Sequence, residues 1–240
     1  MRVAILTDIH ANLPALEAVL EACTPFDALW VLGDIVGYGP YPDDVVARLR
    51  RERAVAVRGN HDAAVLGELD TSVFNEDARL AVEWTADRIG TSSRHWLEGL
   101  PDTLVEDDFT LVHGSPRDPL WEYLITVPLA RRNFSHFETR HAIVGHTHVP
   151  RVFRDDGGHI EVIAPGEGSR IVLDERRTIL NPGGVGQPRD GDPRACAMVL
   201  DTATSSVEWL RVPYPIERVQ ARMRRAGLPS RLVERLSHGL

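Results

Sequence analysis

The stretch MRVAILTDIH, residues 1–10, sets the pattern: a short apolar run, Arg2–Leu6, ends directly in Thr7-Asp8-Ile9-His10. The same sentence is repeated along the chain. Ala28–Leu32 ends in Gly33-Asp34, and Ala54–Val57 in Arg58-Gly59-Asn60-His61-Asp62. Phe109–Val112 ends in His113-Gly114, and Ala142–Val144 in Gly145-His146-Thr147-His148. Ligands of α/β proteins gather outside the carboxyl ends of strands, so five such endings predict one shared crevice. In an extended segment residues two apart share a face, which lets Asp8 and His10 grip one ion and His146 and His148 together address a metal centre. Taken alone, Asp8 reads as a turn or cap residue and His113 as a core histidine. Five strands each ending in a metal-capable residue are far harder to ascribe to accident.

Between these runs the periodicity changes. Pro14 to Ala22 carries Leu16, Val19 and Leu20 at helical spacing, and Tyr41 to Arg51 repeats this with Val45, Val46 and Leu49. A further helical stretch is predicted from Asn75 to Trp96, broken near Gly90, followed by a turn-rich return over Leu100–Asp108. Strand–helix alternation up to Val152 predicts βαβ units and a largely parallel sheet. Beyond Val149, Val152–Phe153, His159–Ala164, Arg170–Asp174, Thr178–Leu180, Ala195–Asp201 and Ser206–Arg211 are short runs separated by Gly, Pro and Asp. These predict an antiparallel sheet beside the first. The whole is an α/β layered sandwich, residues 1–240 forming a single domain with a helical tail over about 215–240.

Bulk properties narrow the function. With 43% hydrophobic and 26% charged residues the chain has the composition of a globular protein with a sizeable core. No apolar run reaches the ~18–20 residues that span a bilayer, and no signal peptide is read at the N-terminus, so the expectation is a cytoplasmic protein without membrane partners. Cys23 and Cys196 lack metal-site spacing and are read as reduced thiols. The net charge of −8 argues against general affinity for nucleic acid. Of ten histidines, those at 10, 61, 113, 146 and 148 fall inside the strand-end clusters.

Seven ligands of mixed imidazole, carboxylate and amide type, Asp8, His10, Asp34, Asn60, His113, His146 and His148, exceed what one ion needs and suit two divalent cations sharing a carboxylate. The set D-x-H, GD, GNHD, HG and GHTH resembles the calcineurin-like metallophosphoesterases, most of all their small bacterial phosphodiesterase branch. The segment NPGGVGQPRDGDPRA from Asn181 is similar to that branch's closing signature, with Gly184 where the branch commonly has Ser. The resemblance implies an α/β/β/α four-layer sandwich with two facing mixed β-sheets. It implies one metal on Asp8, His10 and His148, another on Asn60, His113 and His146, and Asp34 bridging them. His61 would donate a proton to the leaving oxygen or stabilise phosphoryl charge. A metal-bridging hydroxide would be the nucleophile. Manganese is the first expectation for the two ions, with iron, zinc, nickel or cobalt also accepted by such a site.

Around this centre, Arg58 could reach a phosphate oxygen or form a structural ion pair, and Asp62 reads as a helix cap. Arg117 and Arg189 could contact substrate from loops. Trp121 and Tyr123 read as core packing rather than a base-stacking wall. Gly37 stands where related protein phosphatases place an acid that pairs with the catalytic histidine, which weakens a protein-phosphatase reading. The expected activity is hydrolysis of phosphodiesters or phosphomonoesters of small molecules or nucleotides, with dinucleoside polyphosphates as an alternative. Two other classes remain open: a catalytically inactive binding scaffold of the same fold, and a nuclease using the six arginines of Pro215–Leu240, although a solvated helix face is the simplest account of those arginines. A homo-oligomer is compatible with all of them.

Overall fold

A computed structural model describes all residues, 1–240. In chain order the elements are β1 (Arg2–Leu6), α1 (Leu13–Cys23), β2 (Ala28–Leu32), α2 (Pro42–Arg51), β3 (Val55–Val57), α3 (Asn60–Leu66), α4 (Glu76–Ala86) and α5 (Thr91–Glu98). These are followed by β4 (Thr103–Glu106), β5 (Phe109–Val112), α6 (Val127–Asn133), β6 (His141–Ile143), β7 (Arg151–Asp156), β8 (His159–Ile163) and β9 (Arg170–Val172). The chain closes with β10 (Thr178–Asn181), β11 (Ala195–Asp201), β12 (Ser206–Val212), α7 (Ile216–Ala226) and α8 (Ser230–Arg235).

The strands form two six-stranded sheets, ordered β3-β2-β1-β11-β12-β9 and β4-β5-β6-β10-β7-β8. Each is mixed: β1, β2 and β3 run parallel while β11 lies antiparallel to β1. In the second sheet β5, β6 and β10 are parallel and the edge pairs antiparallel. Strand pleating explains the layers, because alternate side chains take opposite faces. Val3 and Ile5 of β1 join Trp30, Leu111, Ile143, Leu180 and Trp209 in a core of 16 buried residues between the sheets. Ala4 and Leu6 point the other way, into a core of 35 residues shared with α1, α2, α4, α5, α7 and α8. A third core of 10 residues packs the second sheet against α6 through Ala130, Phe134 and Phe137. The order helix, sheet, sheet, helix is the four-layer α/β sandwich that the motifs imply.

Two sequence expectations need correction. Phe109–Val112 and Ala142–Val144 were expected beside β1–β3. Instead β5 and β6 lie in the second sheet, and β11–β12 cross back into the first. The helical excursion from Asn60 to Glu98 carries the chain from one sheet to the other. Local periodicity contains no information about such a crossover. Second, part of the supposed turn over Leu100–Asp108 is β4, an edge strand with Val105 59% exposed, whose half-solvated pattern weakened its signal. The helical stretch expected from Asn75 to Trp96 with a break near Gly90 is found as α4 and α5, with Gly90 capping the second.

Candidate metal centre

The carboxyl ends of β1, β2, β3, β5 and β6 meet at one edge of the sandwich. Backbone bonds tie the turns together: Asp8 N–H donates to Gly33 O at 3.1 Å, His10 N–H to Asp34 O at 2.8 Å and Gly145 N–H to His113 O at 2.7 Å. Asp8, His10, Asp34, His146 and His148 all adopt left-handed backbone conformations, with φ from 48° to 65°. Five such residues at one place, none of them glycine, are the kind of strain that folds store at functional sites.

The side chains fall into two groups joined by one carboxylate. Asp8, His10, Asp34 and His148 present ligand atoms within 4.8 Å of one another, as do Asp34, His113 and His146. Asp34 Oδ2 lies 3.5 Å from His10 Nε2 and 3.4 Å from His113 Nε2. Asn60 Oδ1 is 3.1 Å from His113 Nε2. The sequence-nominated seven are therefore all together, and all are buried.

The donor chemistry of this cluster fits cations. His10 Nδ1 faces Val36 O at 3.3 Å, His148 Nδ1 faces Gln187 O at 2.6 Å and His113 Nδ1 faces Leu32 O at 2.8 Å. Each carbonyl accepts an Nδ1–H, which leaves an Nε2 lone pair aimed inward. His10 Nε2 and His148 Nε2 then face each other across 3.2 Å with no proton between them. Two nitrogens about 2.1 Å from one ion would stand about that far apart. Asp8 Oδ1 and His146 Nε2 are buried without a hydrogen-bond partner. Burial raises Asp8 to about 7 and lifts Asp34 well above the usual carboxylate range, with the neighbouring charge of Asp62 adding to it. Burial likewise drives His10, His146 and His148 well below 6.5. Without a cation the pocket disfavours charge on Asp8, Asp34, His10, His146 and His148; divalent ions would compensate the carboxylates and occupy the imidazole lone pairs.

His61 belongs to neither group, although its ring lies edge-on to that of His10 with centroids 4.9 Å apart; it stands in the first turn of α3. Its backbone N–H donates to Asp34 Oδ1 at 2.9 Å, and its ring lies 4.4 Å from Tyr38 and 5.0 Å from Phe74. Its Nδ1 is buried with no partner. A Cβ at Gly37, where φ is +86°, would stand 2.6 Å from that nitrogen. Asp62 is a cap and more, accepting from Gly59 N at 2.9 Å, Val36 N at 2.9 Å and Ile35 N at 3.2 Å. It thereby locks the loop after β2 onto the start of α3.

The glycine-rich segment after β10 braces the cluster. Asn181 Nδ2 donates to Gly145 O at 2.8 Å, and Val185 N and Gly186 N donate to Thr7 O and Asp8 O at 3.0 and 2.8 Å. Gly184 lies so close that a Cβ there would be 3.0 Å from His148 Cβ. Among the nominated arginines, Arg58 makes the structural pair, with Asp102 at 2.9 Å and with Glu68. Arg117 pairs with Glu122, which also accepts from Ser115 and Asn133. Arg189 makes no ion pair and lies 5.8 Å over the Tyr38 ring. Its charge reaches Asp8, Asp34, His10, His61, His146 and His148.

Sequence reasoning missed Tyr38 and misplaced Tyr123. The latter is 45% exposed and stacks on His146, ring centroids 3.9 Å apart, so it belongs to the crevice rim and not to the core. Trp121 packs edge-on against Phe74 at 5.1 Å. The only signal for Tyr38 was its place four residues past Asp34, on the loop leaving β2. Cys23 and Cys196 are free and buried, and no helix is long and apolar enough to cross a membrane.

Comparison with known proteins agrees with this geometry. The model of the calcineurin-like phosphoesterase superfamily domain matches residues 1–205. A crystal structure of a metallophosphoesterase from Sphaerobacter thermophilus superposes with a TM-score of 0.92 at 45% identity, covering 100% of this chain and 99% of that one. An uncharacterised protein of Methanocaldococcus jannaschii is 33% identical over 245 residues, 99% of this chain and 98% of that protein. The phosphodiesterase YfcE of Escherichia coli is 38% identical over 77 residues, 27% of this chain and 42% of that protein, a local match that supports likeness to its branch.

Proposed function

The chain belongs to the calcineurin-like phosphoesterase superfamily, and from that premise we propose that it is a dinuclear metal-dependent hydrolase of small phosphate esters, diesters or monoesters. The observation that carries the reading is the position of Asp34, whose one carboxylate oxygen stands within 3.5 Å of an imidazole from each ligand group. Asp8, His10, Asp34 and His148 would hold one divalent ion, and Asp34, Asn60, His113 and His146 the other, with manganese the first candidate. When bound, such a pair lowers the pKa of water and stabilises the attacking and departing oxygens of an in-line displacement.

The chain's own residues supply the rest. His61, in the first turn of α3, would give a proton to the leaving oxygen. Burial, followed by the charges of Arg189 and His113, holds it well below 6.5 when no substrate is present. An arriving phosphate anion opposes that effect, so protonation of His61 is coupled to substrate binding. Arg189 is the cation left to face the phosphoryl oxygens. The whole chain acts as one domain, since the closing segment after β10 completes a site begun at β1.

Metal-depleted protein reconstituted with manganese should hydrolyse bis(p-nitrophenyl) phosphate, and a chelator should stop it. Asp34→Asn and His61→Ala should each lose at least about a hundredfold in kcat. Full activity in Asp34→Asn would overturn the assignment.

A further inference from the structure

The crevice does not end at Arg189. A cavity of 640 Å³ continues from it, walled by Tyr38, Tyr123 and Arg189 on one side and by Arg231, Arg235 and His238 on the other. The last three come from α8 and the residues after it, part of an arginine-rich tail that the metal centre does not use. None of Arg189, Arg231 and Arg235 is paired with an Asp or Glu side chain, whereas Arg58, Arg117, Arg194 and Arg211 each are. Arg235 donates only to Leu240 O. Burial first, then the charges of Arg189 and Arg231, depress its basicity while Tyr38 and Asp77 oppose them, and all three guanidiniums line the same cavity. Guanidiniums beside a phosphoester site that no Asp or Glu side chain pairs directly are open to an anion, and guanidinium forks match phosphate oxygens.

We propose that this cavity is a second phosphate subsite, in which Arg235 and Arg231 act with Arg189 as specificity-determining residues for nucleotides carrying an additional phosphate. The proposal rests on the hydrolase reading above and adds the class of ester that the site selects. The cavity also carries Glu76, Asp77 and Glu234. A bare polyanion is therefore a poorer match than a phosphate attached to a body with hydroxyl or amine donors, such as a nucleoside.

Two p-nitrophenyl esters of thymidine 5′-phosphate, one with and one without a 3′-phosphate, test this directly. The 3′-phosphate should raise kcat/KM at least about tenfold, the effect of one charge-assisted contact. Arg235→Gln and Arg231→Gln should each bring the ratio of the two values toward one. Both substitutions leave Leu232, Val233 and Leu236, which anchor α8 in the core, untouched. A wild-type ratio near one, or a ratio that neither variant changes, would overturn the subsite. Calorimetric binding of thymidine 3′,5′-bisphosphate against thymidine 5′-phosphate separates the two readings. If neither ester is cleaved but the bisphosphate still binds tenfold tighter in an Arg235-dependent way, the hydrolase reading fails and the subsite stands. Loss of that preference as well removes both.

Discussion

Gly37→Ala probes how His61 is held. A Cβ at this position would lie 2.6 Å from His61 Nδ1 and 3.1 Å from His61 Cβ, against ordinary contacts of about 3.5 Å or more. The ring has no hydrogen bond to keep it in place, because its Nδ1 is unpartnered, so it will swing by up to about 1 Å. The left-handed backbone, with φ at +86°, adds about 1–2 kcal/mol of strain for a residue with a side chain. In a chain of this size that lowers the Tm by a few degrees. A displacement of about 1 Å in a reacting group costs on the order of a hundredfold in rate, and loss of a general acid between 10² and 10⁴. The variant should therefore keep its metal content and lose about a hundredfold in kcat. The loss should be larger for a methyl ester, whose leaving oxygen needs the proton, than for a p-nitrophenyl ester. Combined with His61→Ala, the two losses should not add. Equal losses on both esters, or additive losses in the double variant, would refute the role given to His61.

Gly145→Ala should act on the metals instead. Its Cβ would stand 2.0 Å from Thr7 Oγ1, the hydroxyl that donates to Asp8 Oδ2 at 2.9 Å. Metal affinity should drop at least tenfold, as when other partners of ligands are removed, and Thr7→Ala in the same chain should restore part of it; unchanged affinity by metal titration would contradict this. Far from the centre, His141 is 4% exposed and burial lowers it to about 4. Its folded pKa lies below the unfolded value of 6.5, so the unfolded chain binds the proton that the folded one refuses. Stability is lost as pH falls from about 6.5 to about 4, by up to about 3 kcal/mol. His141→Gln should flatten that part of the urea-midpoint profile relative to wild type, and identical profiles would show that His141 stays uncharged for no energetic reason.

The site was more legible than the sheets. Asp8, His10, Asp34, Asn60, His113, His146 and His148 announce themselves because metal-capable side chains at strand ends carry a chemical signature independent of which sheet the strand joins. Sheet membership has no such signature: Phe109–Val112 and Val55–Val57 are both short apolar runs, and only the path of the intervening helices assigns them to different layers. Boundaries slipped by one residue where a strand passes into a ligand turn, as at His141–Ile143. Tyr38 escaped notice and Tyr123 was read as core packing because an aromatic side chain reads the same in a core and on a crevice wall. The arginines of α8 read as a solvated helix face, and only the folding of the tail against the loop of Arg189 brings them to the crevice. Arg58 could be resolved only by its partners, Asp102 being 44 residues away in sequence.

The central claim is that one carboxylate joins two metal sites. Diffraction from manganese-soaked crystals, with anomalous scattering used to locate the ions, tests it most directly. Two anomalous peaks per chain, both in contact with Asp34, are expected. A single peak, or two peaks of which either lies out of reach of Asp34, would contradict the account.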